Sequence, residues 1–318
     1  MKKALRIVFF GSGQFACPCL DGILAAGADE VAAVVTQPDR PRGRSLQTAP
    51  CALHMHVKER GIPVLTEENV NSADCLERLR ALAPDLIVVV AFGQILRRAL
   101  LDLPPMGCVN VHGSLLPRYR GAAPIQWAIA RGETITGVTV MFMNERMDAG
   151  DILAQAREPV LADDTGGTLH DRLAALGATL LVRALDELRE GRAVHRPQDH
   201  ALATFAPMLK KADGRLDWAL LARELSDRVR AFQPWPGCAC EAPAGSKRLV
   251  KVLKASAETW DGAIALPGTV LETSARGPLV AAGAGALRLL EVQPESRKAM
   301  SGAAFVRGHN VAPGLRLG

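Results

Sequence analysis

An asparagine and a histidine stand two positions apart, at the end of an apolar run that a tight polar turn follows. Asn110 and His112 belong to the sequence V-N-V-H-G-S-L-L-P-R-Y-R-G at 109–121. If residues 107–111 form a strand, its period of two places both side chains on one face, where they can meet one substrate. An amide offers donors for a developing oxyanion, and an imidazole, with an ordinary pKa of about 6.5, exchanges protons near neutral pH. The spacing predicts a proton-handling site.

A carboxylate further along the chain can complete this site. Asp148 lies in the motif D-A-G-D at 148–151, and a carboxylate that is bonded to one ring nitrogen of a histidine fixes its tautomer and polarises the ring. The alternative is that His112 is a structural histidine beside a strand end. Gly113, Pro117 and Gly121 favour the site, because they break the chain directly after the strand, where open α/β sheets bind ligands.

The elements that must position these residues alternate between apolar runs and amphipathic stretches. Wholly apolar runs such as L-I-V-V-V at 86–90 are typical of parallel strands that are covered on both faces. The pattern predicts strands at 5–10, 31–36, near 64, 86–91, 107–112, 138–143 and 152–159, and helices at 15–26, 51–60, 73–82, 124–130 and 169–190. This alternation predicts an α/β fold with a doubly wound, mostly parallel and Rossmann-like sheet.

The residue composition of the chain changes near residue 204. Pro, Gly and charged residues cluster there in A-P-M-L-K-K-A-D-G, which is typical of a linker. A helix is predicted at 218–230, and short apolar runs that Gly and Pro separate follow at 249–253, 268–272, 278–281 and 286–293. Such short strands are typical of a small β-barrel. We expect a first domain at 1–203, and a second at 204–318 that contains a linker, a helix and the barrel.

Length and composition limit the class of protein. At 318 residues the chain exceeds the usual size of a single core, and 48% hydrophobic with 22% charged residues is typical of globular domains. No run approaches the roughly 18 apolar residues of a membrane span. The apolar run at the start stops at Gly11, which is too early for a signal peptide. We therefore expect a soluble cytoplasmic protein.

The cysteines predict neither disulfides nor a metal site. Their number, seven, is odd, and the chain is too long for a disulfide-built scaffold. The pairs C-P-C at 17–19 and C-A-C at 238–240 could be half-sites for a metal, but zinc ligands are usually separated by roughly two to four residues, with histidines nearby. Reduced and mostly buried thiols are the expectation.

Positive charge is concentrated in the last third of the chain. Residues 207–318 carry 16 Lys or Arg and 10 Asp or Glu, a net charge of +6, whereas residues 1–206 carry 22 and 23, a net charge of −1. Seven of these basic residues are Lys247, Arg248, Lys251, Lys254, Arg297, Lys298 and Arg307. They suit a polyanionic partner, and solvated strand edges are the alternative that charge alone does not exclude.

A glycine-rich turn near the start raises a different function. G-S-G-Q-F-A at 11–16 fits the pattern G-x-G-x-x-A between a strand and a helix, which is typical of dinucleotide-binding oxidoreductases. The acidic residue that should end the second strand is missing there, since the run 31–36 continues into Gln37 and Pro38 before Asp39. The glycines are explained more simply by a tight turn from strand to helix.

Longer motifs are spread over nearly the whole chain. In the first part they are F-A-C-P at 15–18, V-V-T-Q-P-D-R-P at 34–41, H-G-S-L-L-P-R-Y-R-G-A-A-P-I at 112–125 and M-D-A-G-D-I-L at 147–153. In the second they are T-F-A-P-M-L-K-K-A-D-G-R-L-D-W at 204–218, R-A-F-Q-P-W-P-G at 230–237 and L-R-L-L-E-V-Q-P at 287–294. Together they resemble the methionyl-tRNA formyltransferase family. Other enzymes that use 10-formyltetrahydrofolate share the first set, so the second set discriminates.

The resemblance implies a fold, a reaction and roles for residues. The fold is a formyltransferase domain followed by an OB-like barrel that helps to bind tRNA. In the reaction, the α-amine of initiator methionyl-tRNA attacks the formyl carbon of 10-formyltetrahydrofolate, without a metal. Asn110, His112 and Asp148 match the catalytic trio, as oxyanion donor, proton-transfer group and its orienting partner. The folate-binding turn matches Ser114, Leu115, Leu116 and Pro117. A monomer is implied.

A basic segment resembles the inserted loop with which the family enters the acceptor arm of tRNA. It is D-R-P-R-G-R-S-L-Q-T-A-P at 39–50, and Arg40, Arg42 and Arg44 are suitable ligands for phosphates or base edges. Ser45, Leu46 and Gln47 stand where the family usually has glycine and lysines, so we expect a weaker, less salt-dependent grip. A solvated loop without a partner is the alternative.

Other functions compete with tRNA formylation. Formyl transfer to an amino sugar nucleotide and hydrolysis of the folate need the first motifs but not a basic barrel. A catalytically dead RNA-binding protein would not need the trio at 110, 112 and 148. The residues leave open which proton transfer His112 performs and how initiator tRNA is distinguished from elongator tRNA.

Overall fold

The computed structural model describes residues 4–42, 47–58 and 60–318, with only the backbone described at 40–42 and 47–49. Two compact units divide the chain. The first comprises Met1–Pro124, Ile135–Pro159 and His170–Ala206, and the second comprises Ile125–Thr134, Val160–Leu169 and Pro207–Gly318. The predicted domains, 1–203 and 204–318, stay a prediction, because this division describes compactness and not independent folding.

The elements up to residue 189 follow the predicted alternation, with two short strands at 40–42 and 47–49 and a short helix at 98–101 that were not predicted. In chain order they are β1 (Arg6–Gly11), α1 (Ala16–Ala26), β2 (Glu30–Thr36), β3 (Arg40–Arg42), β4 (Gln47–Ala49), α2 (Ala52–Val57), β5 (Val64–Thr66), α3 (Ala73–Ala81), β6 (Leu86–Val90), α4 (Arg98–Leu101), β7 (Cys108–His112), α5 (Pro124–Ala130), β8 (Ile135–Phe142), β9 (Ile152–Pro159) and α6 (Gly166–Arg189).

A seven-stranded sheet organises the first unit, in the order β5-β2-β1-β6-β7-β8-β9. The first five strands pair in parallel, β8 pairs antiparallel with β7, and β9 pairs antiparallel with β8, so that β8 alone runs against the others. β1 lies between β2 and β6, so the direction in which strands are added reverses there, as in a doubly wound sheet. The predicted mostly parallel α/β fold is confirmed.

Helices cover both faces of this sheet, which explains why its central strands are wholly apolar. On one face, Leu79 of α3 belongs to a buried cluster with Phe10 and Ile87. On the other, Gly177 of α6 packs so closely that a Cβ there would lie 3.2 Å from Val111 and 3.6 Å from Val138. β7 is thereby held between two neighbouring strands and beneath α6, with its last residue at the carboxyl edge of the sheet.

The second unit contains an antiparallel sheet. Its remaining elements are α7 (Ala222–Ala231), β10 (Cys238–Glu241), β11 (Leu249–Glu258), β12 (Val270–Ser274), β13 (Gly277–Ala281), β14 (Ala286–Pro294), β15 (Met300–Ser301) and α8 (Gly302–Gly308). The strand order is β10-β11-β14-β13-β12, with β15 added to β14. The predicted second region of short strands is confirmed.

The last residues of the chain bridge the two edges of this sheet. Gly318 N donates to Glu241 O at the end of β10 at 3.0 Å, and Leu317 N donates to Gly268 O before β12 at 2.8 Å. Val270 N of β12 in turn donates to Leu315 O at 2.8 Å. These bonds satisfy backbone groups that an open sheet edge would expose, and they give the sheet a barrel-like closure.

None of the helices in the described ranges combines the length and the apolar character that a membrane crossing would need.

Candidate active site

β7 places two of the predicted site residues on one face, at its end. Asn110 and His112 alternate with Val109 and Val111 along the strand, so their side chains share a direction. The His112 side chain is only 7% exposed, whereas Asn110 is half-buried. The Asn110 amide makes no hydrogen bond to another residue within 4–42, 47–58 or 60–318. Its two donors are available for an incoming oxyanion.

The main chain after β7 fixes the tautomer of His112. Nε2 lies 2.9 Å from Tyr119 O. Because a carbonyl oxygen only accepts, Nε2 must carry a proton, and in the neutral ring Nδ1 then carries the lone pair. Nδ1 is therefore the atom that can take a proton, and it lies 3.7 Å from Asp148 Oδ2.

Asp148 lies beside His112 without a hydrogen bond to it. The distance of 3.7 Å is that of an ion pair and exceeds the roughly 3.2 Å limit of a good N–H···O bond. Oδ2 instead accepts from Gly121 N at 2.7 Å, and the Asp148 side chain is 14% exposed. The role predicted for Asp148, to fix the tautomer of His112 and polarise its ring, is therefore shared by two groups. Tyr119 O sets the tautomer, and Asp148 supplies negative charge next to Nδ1.

The turn that carries Asp148 is tightly constrained. Asp148 has a φ of 49°, in the left-handed region that non-glycine residues rarely adopt. A Cβ at Gly150 would lie 1.9 Å from Phe142 O, so only glycine fits there. Phe142 N also donates to Asp151 O at 2.9 Å, which closes the connection between β8 and β9. The D-A-G-D motif thus serves to place one carboxylate.

The predicted folate turn follows β7 directly, and its polar groups hold its shape. Ser114 is fully buried, and its Oγ donates to Arg118 O at 2.6 Å. Leu116 is also buried, while Leu115 and Pro117 are half-buried. Since the Ser114 hydroxyl is engaged inside the protein, contacts from this turn to a ligand would come from its main chain and its apolar side chains.

Two residues that the sequence reasoning missed support this turn. The hydroxyl of Thr139 in β8 donates to Ser114 O at 2.6 Å and accepts from Leu116 N at 3.1 Å. Gln155 in β9 donates to Leu116 O at 2.8 Å and to the Thr139 hydroxyl at 3.0 Å. The available signal was pairing: Thr139 lies opposite His112 in the antiparallel register, and Gln155 lies opposite Thr139.

The glycine-rich turn after β1 has its amides engaged within the fold. Ser12 N and Gly13 N donate to Ala91 O at 3.2 and 3.3 Å, whereas a dinucleotide site would direct such groups at a pyrophosphate. A Cβ at Gly11 would lie 2.8 Å from the Cβ of Ala16. The interpretation of these glycines as a tight strand-to-helix connection explains these contacts.

The seven cysteines are free thiols, and six of them are buried. Burial raises the pKa of Cys19, Cys238 and Cys240 to about 12, so these thiols stay protonated at neutral pH. Among the described residues, no group of three His, Cys, Asp or Glu side chains is arranged to hold a metal ion.

The described residues of the basic segment include two short paired strands. β3 pairs with β4 in antiparallel register, with Arg40 opposite Ala49 and Arg42 opposite Gln47. The predicted tRNA ligand Arg44 lies outside the described residues. Assigning Arg40, Arg42 and Arg44 to tRNA binding stays a prediction.

Comparison with known proteins places the chain in a family. The family model described as Formyl transferase matches residues 5–185, and that described as Formyl transferase, C-terminal domain, matches residues 208–310. The methionyl-tRNA formyltransferase of Citrifermentans bemidjiense is 46% identical over 314 residues, which cover 99% of this chain and 96% of the relative. That of Chloroflexus aggregans is 46% identical over 99% of this chain and 100% of the relative. The chain belongs to the methionyl-tRNA formyltransferase family.

Solved structures share the fold of this family member at low identity. WlaRD, a sugar 3N-formyltransferase solved with dTDP and 5-N-formyl-THF, has a TM-score of 0.65 at 16% identity and covers 93% of this chain and 100% of its own. HypX from Aquifex aeolicus, in complex with tetrahydrofolic acid, has a TM-score of 0.59 at 19% identity and covers 96% of this chain and 47% of its own. At these identities the likeness concerns the fold alone.

Proposed function

We propose that this member of the family transfers the formyl group of 10-formyltetrahydrofolate to the α-amino group of initiator methionyl-tRNA, giving N-formylmethionyl-tRNA for translation initiation. The observation that carries the choice of acceptor is the identity of about 45% with methionyl-tRNA formyltransferases over 99% of the chain. That match includes the second unit, whose exposed basic side chains suit a polyanionic acceptor.

The chemistry follows from the atoms at the end of β7. The methionyl amine attacks the formyl carbon, so a C–N bond forms and the carbonyl oxygen gains negative charge. The Asn110 amide donates a hydrogen bond to that oxygen. An α-amine has an ordinary pKa of about 7.7, so the proton that it loses on attack needs only a modest base. His112 Nδ1 takes this proton, and the resulting imidazolium lies 3.7 Å from the Asp148 carboxylate.

The tetrahedral intermediate collapses when the bond between the formyl carbon and N10 of the folate breaks. The electron pair stays on N10, which then takes up a proton, so one proton leaves the amine and one is delivered to the leaving nitrogen. Both transfers lie within the capacity of one imidazole. We assign the folate to the turn Ser114, Leu115, Leu116 and Pro117, beside these atoms.

We assign tRNA binding to surfaces away from β7. Seven exposed basic side chains of the second unit carry much of its net charge: Lys247, Arg248, Lys251, Lys254, Arg297, Lys298 and Arg307. Arg40, Arg42 and Arg44 of the segment 39–50 are assigned to the acceptor arm. We therefore divide the chain into a catalytic domain at 1–203 and a tRNA-binding domain at 204–318, acting as a monomer in the cytoplasm and without a metal.

The test is formyl transfer with the acceptor varied. The pure protein is incubated with 10-formyltetrahydrofolate and with initiator methionyl-tRNA, an amino sugar nucleotide or buffer alone. We expect transfer to methionyl-tRNA only, and abolition of transfer in His112→Ala with tRNA binding retained. Formate release without transfer, or formylation of the sugar nucleotide alone, would contradict the proposal.

A further inference from the structure

A buried glutamine clamps the turn that carries Asp148. Gln198 is 7% exposed, and its Nε2 donates to Asp148 O at 3.0 Å and to Gly150 O at 2.8 Å. Its Oε1 accepts from Arg120, at 2.6 Å from Nη2 and 3.2 Å from Nε. Both amide hydrogens and the amide oxygen are engaged, and a rotated amide would oppose like groups at every contact, so the orientation is unambiguous.

Arg120 connects this clamp to the segment that binds the Asp148 carboxylate. Arg120 is buried, with 6% of its surface exposed, and its guanidinium also donates to His200 Nδ1 at 2.9 Å. Burial lowers the pKa of Arg120 below its ordinary value, while the nearby Asp148 carboxylate acts in the opposite direction. The next residue, Gly121, donates its N–H to Asp148 Oδ2. The segment thus holds the Asp148 carboxylate through its backbone and the Asp148 main chain through Gln198.

The turn needs such a clamp because its conformation is unfavourable in isolation. A non-glycine residue in the left-handed region, such as Asp148 at φ 49°, costs about 1–3 kcal/mol and persists only when its surroundings enforce it. Two hydrogen bonds from one buried amide provide that enforcement, and their strength increases in a site that excludes water. Without them the turn is free to relax and the carboxylate to leave His112.

We infer that Gln198, held by Arg120, is a positioning residue for formyl transfer, which keeps the Asp148 carboxylate next to His112 Nδ1. The inference rests on the proposed function. Gln198 does not touch the reacting atoms, since both ends of its amide are occupied by Asp148, Gly150 and Arg120. Its effect is exerted when His112 becomes positively charged, so it should appear in kcat and not in the binding of either substrate.

The test is Gln198→Met, which keeps the volume of the side chain and removes its amide. We expect kcat for methionyl-tRNA to fall about 10- to 100-fold, as for a misplacement of roughly 1 Å, with both KM values within about twofold. Gln198→Glu, which retains an acceptor for Arg120 but cannot donate to the two carbonyls, should lose kcat similarly and covers the case in which the methionine variant fails to fold. Gln233→Met is the matched control, because Gln233 donates to Val229 O and Leu253 O in the second unit.

A double-mutant cycle separates positioning from general destabilisation. In the Asp148→Asn background, Gln198→Met should cause no further loss of kcat, because the charge that it positions is already gone. Equal losses in both backgrounds, or an unchanged kcat in the single variant, would overturn the inference. A crystal structure of Gln198→Met should show the distance from His112 Nδ1 to Asp148 Oδ2 increased from 3.7 Å. This distance does not depend on activity, so it tests the role of Gln198 independently. If the wild type formed no formylmethionyl-tRNA, only the proposed function would be contradicted.

Discussion

Replacing Thr139 with valine is expected to loosen the turn 114–117 by removing a single hydroxyl. Thr139 is fully buried, donates to Ser114 O and accepts from Leu116 N and Gln155 Nε2. Valine has nearly the same shape but neither donates nor accepts. In the variant, Ser114 O and Leu116 N of the turn therefore lose their hydrogen-bond partner, while the strand pairing of β8 is unchanged.

The magnitude follows from the groups that lose their partner. Each buried polar group left in this way costs about 1–3 kcal/mol, and Ser114 O and Leu116 N are both affected. Gln155 adds little, because it keeps its bond to Leu116 O at 2.8 Å. The methyl that replaces the hydroxyl returns about 1 kcal/mol through apolar burial. We expect the local free energy of opening around the turn to fall by about 1–5 kcal/mol.

Amide hydrogen exchange in β7 and β8 measures this loss locally, since a chain of two units does not guarantee two-state unfolding. We expect the Kd for tetrahydrofolate, measured by calorimetry, to rise by at least about tenfold, which is about 1.4 kcal/mol. At saturating folate, kcat should change little, because His112 is not touched. Thr139→Ser should restore binding, and Thr179→Val, which removes an exposed hydroxyl, is the control. Normal folate binding by a destabilised Thr139→Val would refute the assignment of the turn, and normal exchange would refute the hydrogen-bond accounting.

Three further predictions concern other parts of the molecule. Gly150→Ala would place a Cβ 1.9 Å from a main-chain oxygen and displace the Asp148 turn, so kcat should fall by about 100-fold in steady-state kinetics. Gly308→Ala is the control and should leave kcat unchanged, because a Cβ there has no neighbouring atom within 4 Å. Arg42→Ala should weaken tRNA binding without changing tetrahydrofolate binding. In a salt titration it should reduce the slope of the logarithm of the tRNA binding constant against the logarithm of the salt concentration by about 1. An unchanged slope would show that Arg42 does not contact a phosphate. The Arg288 guanidinium holds the pKa of Glu258 below its ordinary value of 4.5, so the stability from this pair is present above about pH 4.5 and is lost as the pH falls through the lowered pKa. The temperature of thermal unfolding should therefore fall more steeply with decreasing pH in the wild type than in Glu258→Gln.

The sequence predicted elements well where burial imposes a period. The strand Ile152–Pro159 and the helix Pro124–Ala130 were predicted with the bounds that the structure has. Shorter elements, such as Arg98–Leu101 and Cys238–Glu241, were missed, because four residues are too few to display a period. Their conformation depends on neighbours that are distant in sequence: Cys238–Glu241 exists as a strand because Leu249–Glu258 pairs with it.

The same distinction applies to the site. The shared face of Asn110 and His112 follows from strand period, so the spacing sufficed to predict it. The supports of the site could not be found in this way, because Gln198 reaches the Asp148 turn from about 50 positions away, and Tyr119 acts through a main-chain oxygen that every residue has. Contacts of this kind depend on the path of the backbone and not on a residue type.

The distance between His112 and Asp148 is itself informative about the reaction. Nε2 already donates to Tyr119 O, so a true hydrogen bond from Nδ1 to the carboxylate would require protons on both nitrogens, and the ring could not then act as a base. At 3.7 Å the carboxylate leaves the Nδ1 lone pair accessible and makes no strong contact with the neutral ring. In the proposed reaction Nδ1 takes the proton of the amine, and the same carboxylate then attracts the imidazolium. The interaction thus strengthens as the reaction proceeds, which is the condition for a contact to raise kcat and not merely to tighten binding.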